Sequence, residues 1–226
     1  MIKLPHRLQI IADNIENNSK VIDIGCDHAY LSIYLAQNKQ NIKVISSDIN
    51  ENAYNIALAN IKKQKLEKII STRLGNGLEV VEKDEIDTII ISGLGSMTIV
   101  SILKNGYDKL KSVHTLVIQS NTDLYYLRKN ITKLNYYIKK EQTIKEKGIY
   151  YTIITFKKGY HKYSNNDLHY GPLLIKKEDK IYIKKLEEDY SKLKRIFKNI
   201  PPKKFILKLK IFIELNKIKR LNQKLK

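Results

Sequence analysis

Short apolar runs rich in β-branched residues recur through the first two-thirds of the chain, separated by stretches with helical spacing. The apolar runs predict seven strands, at residues 20–24, 42–47, 68–73, 86–91, 113–118, 136–140 and 150–156, with a turn near Gly148 between the last two. Residues 53–64 place Ile56, Ala57 and Ile61 on one face of a helix. Strands that alternate with helices and are themselves almost continuously apolar indicate an α/β fold, with a mostly parallel sheet covered on both faces.

The pattern changes beyond about Gly159. A 3-4-3-4-3 spacing typical of a coiled-coil seam joins Ile183, Leu186, Tyr190, Leu193, Phe197 and Ile200. Pro201-Pro202 must end that helix, and a second helix is expected from about Lys203, with one apolar stripe made of Leu207, Ile211, Leu215 and Ile218. We therefore predict two domains, residues 1–159 and residues 160–226, the second an antiparallel helical hairpin. Dimerisation or simple packing would explain its seam equally well.

The chain carries 42 Lys and Arg against 23 Asp and Glu, a net charge of +19. Residues 161–226 hold 19 of the basic and 7 of the acidic residues, a net +12. Such a surplus attracts polyanions, of which nucleic acid is the leading candidate. Codon usage in an AT-rich genome is the alternative, but it explains the preference for Lys over Arg better than the surplus itself.

Other classes of protein are disfavoured. The single cysteine, Cys26, excludes a disulfide framework and a multi-cysteine zinc site. The histidines show no metal-ligand spacing with acidic partners, so we expect no metal. No run of about 18 apolar residues and no signal peptide are present, so we expect no membrane span and a cytoplasmic location.

The segment VIDIGCDHAYL, residues 21–31, is the most informative. A strand should end in Gly25 and a helix begin near Ala29, and ligands of such sheets bind at this carboxyl edge. The lone glycine does not match the G-x-G-x-x-G fingerprint of dinucleotide sites, and Asp23 and Asp27 favour a cationic or polyhydroxyl ligand over a phosphate. S-adenosylmethionine, which offers a sulfonium, an ammonium and a ribose, fits these residues better.

The turns at the ends of the next three strands are expected to border the same crevice. Asp48 follows the second strand, where a carboxylate can accept hydrogen bonds from both ribose hydroxyls. A helix N-cap is its alternative role. The segment G-N-G-L at 75–78 follows the third strand and could cradle an adenine, and G-L-G-S at 93–96 follows the fourth.

With these motifs the chain resembles the tRNA (adenine-N1)-methyltransferases of the TrmK type, which modify the adenine at position 22 of tRNA. The resemblance rests on Arg7-Leu8, D-I-G-C-D-H-A-Y-L at 23–31, S-D-I-N at 47–50, G-N-G-L at 75–78, G-L-G-S at 93–96, Q-S-N at 119–121, I-Y-Y at 149–151 and Y-G-P-L-L at 170–174. It implies a Rossmann-like class I methyltransferase domain with a seven-stranded sheet, followed by a coiled-coil domain. It also implies S-adenosyl-L-methionine as cofactor and tRNA as partner, and we expect a monomer or weak dimer.

The candidate site residues fall into three groups. For cofactor binding they are Asp23, Gly25, Asp48, Ile49, Asn76, Gly77 and Gly93. For substrate binding they are Arg7, Tyr30 and Asn121, and for catalysis Asp27 and His28.

The chain departs from the family pattern at three places. Asn76 stands where an acidic residue is usual, which removes a charged acceptor for the adenine amino group, although its carbonyl can still accept. Leu94 and Ser96 replace the methionine and the last glycine of G-M-G-G. Ser120 replaces the proline of Q-P-N, which should loosen that turn.

Adenine N1 carries an in-plane lone pair that can attack the sulfonium methyl directly, so catalysis should consist mainly of positioning and electrostatics. Asp27 would stabilise the positive charge left on the ring or take the amino proton, as the resembling family also implies. Its alternative role is to cap the following helix. His28 would contact the base or phosphate or orient Asp27, and a structural role at the helix start is equally open. Tyr30 would stack on the base unless it belongs to the core.

Two candidates lie outside this segment. Asn121 follows the fifth strand, where substrate-facing groups of such folds gather, and a local turn hydrogen bond is its alternative. Arg7 would contact phosphate or pair with a nearby carboxylate.

Two rival functions remain open. The first is a methyltransferase of the same fold acting on another RNA or on a small molecule. Cytosine or uracil carbon methylation is disfavoured because Cys26 lies beneath the cofactor turn. The second rival is a catalytically idle cofactor-binding protein that binds RNA or assists assembly.

Overall fold

The structure is a computed structural model that describes residues 2–177 and 179–224. Within them seven strands form one sheet: β1 (Lys20–Ile24), β2 (Lys43–Asp48), β3 (Ile70–Leu74), β4 (Thr88–Leu94), β5 (Thr115–Ser120), β6 (Tyr136–Glu146) and β7 (Ile149–Lys158). The α-helices are α1 (His6–Asp13), α2 (Tyr30–Asn38), α3 (Glu51–Lys63), α4 (Ser96–Asn105), α5 (Leu124–Lys133), α6 (Asn165–Tyr170), α7 (Pro172–Lys176), α8 (Lys180–Asn199) and α9 (Phe205–Lys224). Short 3₁₀ helices occupy Gly77–Val80, Tyr107–Lys111 and Pro202–Lys204.

The strand order is β3-β2-β1-β4-β5-β7-β6. β1 to β5 are mutually parallel, and β7 runs antiparallel to both β5 and β6. The seven predicted strands are thus confirmed, as is the turn between the last two, where Lys147 and Gly148 both have positive φ as a tight two-residue hairpin requires. Because β1 pairs with both β2 and β4, the chain reverses its direction of winding beside β1. A crevice opens at the carboxyl ends of the strands at such a point.

Helices cover both faces of the sheet. On one face α4 and α5 pack against the sheet through Ile99, Leu103, Leu127 and Ile131. On the other face α1, α2 and α3 contribute a separate apolar cluster that includes Ile11 and Ile61. The strands between these layers are buried on both sides, which explains their nearly continuous apolar sequence.

Residues 160–226, called the tail below, begin with two short helices, α6 and α7, that the hydrophobic pattern did not predict. Arg128 of α5 and Glu141 of β6 form a fully buried ion pair with an Nε–Oε1 distance of 2.7 Å. Arg128 also donates to the carbonyl of Leu168 in α6, and Glu141 accepts from the backbone N–H of Leu173 in α7. A Cβ added at Gly171 would lie 2.8 Å from Arg128 Nη2, so the glycine between the two helices leaves room for the pair. The motif Y-G-P-L-L therefore joins the tail to the sheet domain.

The predicted helical hairpin is confirmed, with the helix break at Pro201-Pro202. Phe197 of α8 and Phe212 of α9 meet near its tip, with ring centroids 6.1 Å apart. At its base Leu186 and Ile218 pack with Tyr170 of α6.

The predicted apolar stripe of α9 is buried only in its second half. Leu215 and Ile218 are buried, whereas Leu207 is exposed together with Phe205 and Ile206. The reason is that α6 and α7 add a third layer at the base of the hairpin through Tyr170 and Leu174.

Candidate active site

The turn after β1 joins the turn after β2 through backbone hydrogen bonds. Gly25 has φ +74°, a left-handed conformation that favours glycine, and its N–H donates to the carbonyl of Ser47. The backbone N–H of Asp27 donates to Asp48 Oδ2 at 3.2 Å. The N–H of Gly75, after β3, donates to the carbonyl of Asp48. Three consecutive strand ends therefore meet at Asp48.

Asp48 does not cap the helix that follows it. The N-cap of α3 is Asn50, whose side chain accepts from the N–H groups of Asn52 and Ala53. Asp48 Oδ1 accepts from the N–H of Asn50 at 2.9 Å. Each Asp48 oxygen keeps a further lone pair, so the carboxylate can still accept hydrogen bonds from a ligand.

Asp23 lies under this turn and is buried. Burial raises the pKa of Asp23 to about 6, the negative charge of Asp48 adds to the rise, and a hydrogen bond from Ser32 Oγ opposes it. A buried carboxyl of this kind gains from a nearby positive charge, which would return its pKa towards the ordinary value.

A pocket of about 240 Å³ lies at the carboxyl ends of β1 and β4. Its lining includes candidates from all three groups, namely Arg7, Asp23, Gly25, Asp27, His28, Tyr30 and Gly93. The structure thus brings seven of the twelve candidates, drawn from all three groups, to one place.

The mouth of this pocket carries Asp27, His28 and Tyr30. The Asp27 side chain is 73% exposed, and its Oδ2 lies 3.6 Å from His28 Nε2. The rings of His28 and Tyr30 are stacked, with centroids 5.3 Å apart and planes inclined by 12°. Ala29, with φ +57°, is the N-cap of α2, so that helix starts beyond Asp27. Asp27 therefore presents an open carboxylate beside an aromatic pair.

The turns after β4 and β5 form a polar network beside the pocket, which it meets at Arg7 and Gly93. Arg7 Nη1 donates to Gln119 Oε1 at 2.8 Å, and its guanidinium carbon lies 5.0 Å from the centre of the Tyr151 ring. Asn121 Nδ2 donates to the carbonyl of Gly93 at 2.6 Å. Arg7 therefore contacts an amide and an aromatic ring. Gln119 was not among the sequence candidates, although a polar residue ending the apolar run TLVIQS was a usable signal.

The other five candidates lie outside that pocket lining: Asp48, Ile49, Asn76, Gly77 and Asn121. Asp48 and Asn121 adjoin it through their hydrogen bonds to Asp27 and Gly93. Asn76 lines a different cavity of about 350 Å³ together with Thr98 and Asn105. Gly77 has φ +57°, and a Cβ there would lie 2.9 Å from Ile102 Cγ2, so the position requires glycine for packing against α4. Ile49 follows Asp48 and is 69% exposed.

Two of the residues that depart from the family pattern, Ser96 and Ser120, form hydrogen bonds in their turns. Ser96 is buried, its N–H donates to Thr122 Oγ1 at 2.8 Å, and its own Oγ accepts from the same hydroxyl. Ser120 Oγ donates to the carbonyl of Leu94 and accepts from the N–H of Thr122. The serine hydroxyl thus adds contacts in the turn where a proline ring would restrict the backbone.

Neither a metal cluster nor a membrane-spanning helix occurs in the described part of the chain. No group of three or more His, Cys, Asp or Glu side chains that could hold a metal ion is found in residues 2–177 and 179–224. Across the same ranges no helix is long and apolar enough to cross a membrane.

The residues present fit S-adenosylmethionine. Asp48 keeps free lone pairs for the ribose hydroxyls, and Asp23 is a buried carboxyl suited to a cationic neighbour. A Cβ built on Gly25 would have only Leu94 Cδ2 near it, at 4.0 Å, so the turn leaves open space on its ligand side.

The strand order, the antiparallel β7 and this crevice are typical of Rossmann-like methyltransferases that use S-adenosylmethionine. The sequence model of the TrmK family, described as tRNA (adenine(22)-N(1))-methyltransferase, matches residues 21–223. The chain belongs to this family.

Individual relatives agree with that assignment. The tRNA (adenine(22)-N(1))-methyltransferase of Bacillus subtilis is 31% identical over 205 residues, which cover 88% of this chain and 86% of the relative. The structure of M. capricolum TrmK in complex with S-adenosyl-homocysteine is 36% identical, with a TM-score of 0.87 and 99% of each chain covered. A Streptococcus pneumoniae protein solved in complex with S-adenosyl-L-methionine is 28% identical, with a TM-score of 0.90, 97% of this chain and 100% of that chain covered.

Proposed function

We propose that the pocket at the ends of β1 and β4 is where this chain carries out the reaction of its family, the transfer of a methyl group from S-adenosyl-L-methionine to N1 of adenine 22 in tRNA. The observation that carries the proposal is the meeting of Asp48, the Gly25 turn and the open Asp27 carboxylate at one sheet edge. The catalytically idle alternative does not account for an exposed carboxylate beside a stacked aromatic pair.

The cofactor would be held by residues at four strand ends. Asp48 would accept from the ribose hydroxyls, and the exposed Ile49 side chain would pack against the adenine ring, with Asn76 accepting from its amino group. Asp23 would stabilise the positive charges of the methionine part, while Gly25 and Gly93 allow close approach of the backbone. Gly77 would support this end of the site by its packing against α4.

When bound, S-adenosylmethionine supplies a methyl group that is electrophilic because its sulfur is positively charged. The chain has to hold adenine N1 in line with that methyl group, and no enzyme nucleophile or metal is needed for the attack. Methylation leaves positive charge on the ring. Asp27 would stabilise that charge electrostatically or accept the proton of the adenine amino group, and His28 would orient its carboxylate across the 3.6 Å between them.

The target base must leave its stack to reach the pocket. The ring of Tyr30, which is stacked with His28, offers a surface for the everted adenine. Arg7, held by Gln119 beside the pocket, is the candidate for a phosphate or ribose oxygen. The lysine-rich tail would hold the tRNA backbone, recognising shape more than sequence.

We also propose that the protein acts as a monomer or weak dimer. A tRNA substrate supports action in the cytoplasm. The division into domains 1–159 and 160–226 remains our proposal. The backbone carbonyl of Leu168 and the backbone N–H of Leu173 bond to the Arg128–Glu141 pair, so removing the tail at residue 160 would leave that pair without these partners.

The test is to incubate the protein with labelled S-adenosylmethionine and unmodified tRNA and to map the methylated nucleotide. We expect N1-methyladenosine at position 22. Cofactor binding without turnover would favour the idle protein, and product on another nucleotide would favour a methyltransferase of different specificity.

Asp27→Ala separates catalysis from binding in the same assay. We expect turnover to fall about 100-fold or more, since general acid–base or charge-stabilising groups contribute at that level, with tRNA affinity roughly unchanged. Asp13→Ala, which removes an exposed carboxylate of α1, is the matched control. Wild-type turnover in Asp27→Ala would reduce Asp27 to a structural residue.

A further inference from the structure

Gln119 is the buried centre of the polar network beside the pocket. It lies near the end of β5 and has no exposed surface. Three donors converge on its Oε1: Arg7 Nη1 at 2.8 Å, Ser92 Oγ at 3.1 Å and the backbone N–H of Gly93 at 3.1 Å. Its Nε2 donates to Asn121 Oδ1 at 2.9 Å. One side chain thus connects α1, β4 and the turn after β5.

The chemistry of these partners fixes the direction of each amide in the network. A guanidinium and a backbone N–H can only donate, so the group of Gln119 that faces Arg7 and Gly93 must be its oxygen. Its nitrogen must then face Asn121, so the Asn121 atom that meets it must be the oxygen. The Asn121 nitrogen donates to the carbonyl of Gly93, which can only accept. Donors at one end therefore set the direction of an amide at the other.

We propose that Gln119 is a positioning residue that fixes the orientation of the Asn121 amide, so that Asn121 offers an N–H donor to an acceptor atom of the target nucleotide. Asn121 is exposed, and one of its two N–H groups is used by Gly93, which leaves the other for substrate. This inference rests on the proposed function, because it assigns a role towards the adenine methylated there.

The fixed orientation limits what Asn121 can recognise. An N–H donor can bind a ring nitrogen of adenine or an oxygen of its ribose or phosphate. It cannot bind the exocyclic amino group, which itself donates. That amino group is then left to an acceptor, and Asp27 is the exposed carboxylate of the pocket.

Gln119→Glu tests the orientation directly. The carboxylate keeps the size of the side chain and an oxygen for Arg7, Ser92 and Gly93, but it replaces the Nε2 donor with a second acceptor. Asn121 must then turn its nitrogen towards residue 119 and place its oxygen against the carbonyl of Gly93. We expect kcat to fall by up to about 100-fold, as for other small misplacements of reacting groups. The KM for tRNA should stay within about threefold, because phosphate contacts dominate it.

A double-mutant cycle with Asn121→Ala distinguishes positioning from a general structural effect. If Gln119 acts through Asn121, Asn121→Ala alone lowers kcat, and adding Gln119→Glu lowers it little further. Additive losses, or wild-type kcat in Gln119→Glu, would overturn the inference. Gln142→Glu, the same change on β6, is the matched control and should leave kcat unchanged. Should Gln119→Glu fail to fold, Gln119→Met carries the same cycle.

The outcomes also separate this inference from the proposed function. Wild-type protein that forms no N1-methyladenosine contradicts the proposed function. N1-methyladenosine formation that survives Asn121→Ala at the wild-type rate contradicts only the role given to Asn121, and with it that of Gln119.

Discussion

At the scale of single residues, three carboxyl groups of similar sequence context have different environments. Asp23 is buried, Asp48 is half-buried and accepts two backbone hydrogen bonds, and Asp27 is mostly exposed. These differences support different roles for them: a cationic partner for Asp23, ribose binding for Asp48 and chemistry on the substrate for Asp27.

Asp48→Ala should lower the affinity for S-adenosylmethionine at least about tenfold. Hydrogen bonds to a charged acceptor contribute about 1.5–3 kcal/mol each, and Asp48 would accept from the ribose. Isothermal titration calorimetry measures the change. The control is Asp87→Ala. It also removes a carboxylate that accepts a backbone N–H, here that of Lys20, but it lies at the amino ends of β1 and β4, away from the pocket. Equal affinity in Asp48→Ala and wild type would remove Asp48 from the cofactor site.

The raised pKa of Asp23 makes stability dependent on pH. The protonated carboxyl is favoured in the folded state, with a pKa of about 6 against an ordinary 3.8. Its contribution to stability is therefore complete below about pH 4 and is lost as pH rises through 6. Relative to Asp23→Asn, the wild type without cofactor should lose up to about 3 kcal/mol of unfolding free energy between pH 4 and pH 7. Urea unfolding of both proteins from pH 4 to pH 7 measures this loss. If the difference in unfolding free energy between wild type and Asp23→Asn stayed constant over that range, burial would not raise the pKa of Asp23.

At the scale of secondary-structure elements, the Arg128–Glu141 pair determines how the tail meets the sheet. Both side chains are almost fully buried, and each also bonds to the backbone of a short tail helix. Removing one partner would leave the other charge buried without compensation, which is among the most destabilising changes available to a protein.

Arg128→Met should therefore lower the free energy of unfolding by about 3–5 kcal/mol. Lys157→Ala is the control, because it breaks an ion pair with Glu16 in which the Glu16 side chain is 70% exposed. Such an exposed pair contributes about 0–1 kcal/mol. Chemical denaturation measures the free energy of unfolding of both variants. Similar decreases in the two would mean that burial does not increase the contribution of the Arg128–Glu141 pair to stability.

At the scale of the whole molecule, the excess positive charge of the tail lies apart from the carboxyl groups of the pocket. The tail carries a net +12, whereas the pocket contains two carboxyl groups, Asp23 and Asp27, and one guanidinium, that of Arg7. An acidic pocket suits a cationic cofactor, and a basic surface holds a polyanion around it. Exposed basic residues on α8, α9 and the turn between them include Lys194, Lys198, Lys203 and Lys210.

Replacing those four lysines with Gln should weaken tRNA binding and make it less sensitive to salt. The slope of log K against log salt concentration should become shallower by up to about 1 for each phosphate that is no longer neutralised. The matched control replaces Lys62, Lys63, Lys65 and Lys68, which are exposed at the end of α3 and in the loop before β3, the strand at the other side edge of the sheet from β6. Filter binding at several salt concentrations measures both sets. Equal slopes in the two variants would make the tail a packing element instead of an RNA-binding surface.

The sequence by itself determined the seven strands, the turn at Gly148, the helix break at Pro201-Pro202 and the turn glycine Gly25. These features depend on local backbone preferences and on burial with a short repeat, which are legible along the chain. The polar ends of the strands were legible too, because parallel strands bring their carboxyl ends to one edge.

Only the tertiary structure decided which of those polar groups meet and what lies between them. Arg7 and Gln119 are 112 residues apart, and Arg128 bonds to a helix 40 residues further along the chain. No periodicity encodes such pairs, since burial and the shortage of other partners select them only after the layers have packed. The helices α6 and α7 depend on the buried Arg128–Glu141 pair in the same way, so the hydrophobic pattern did not predict them.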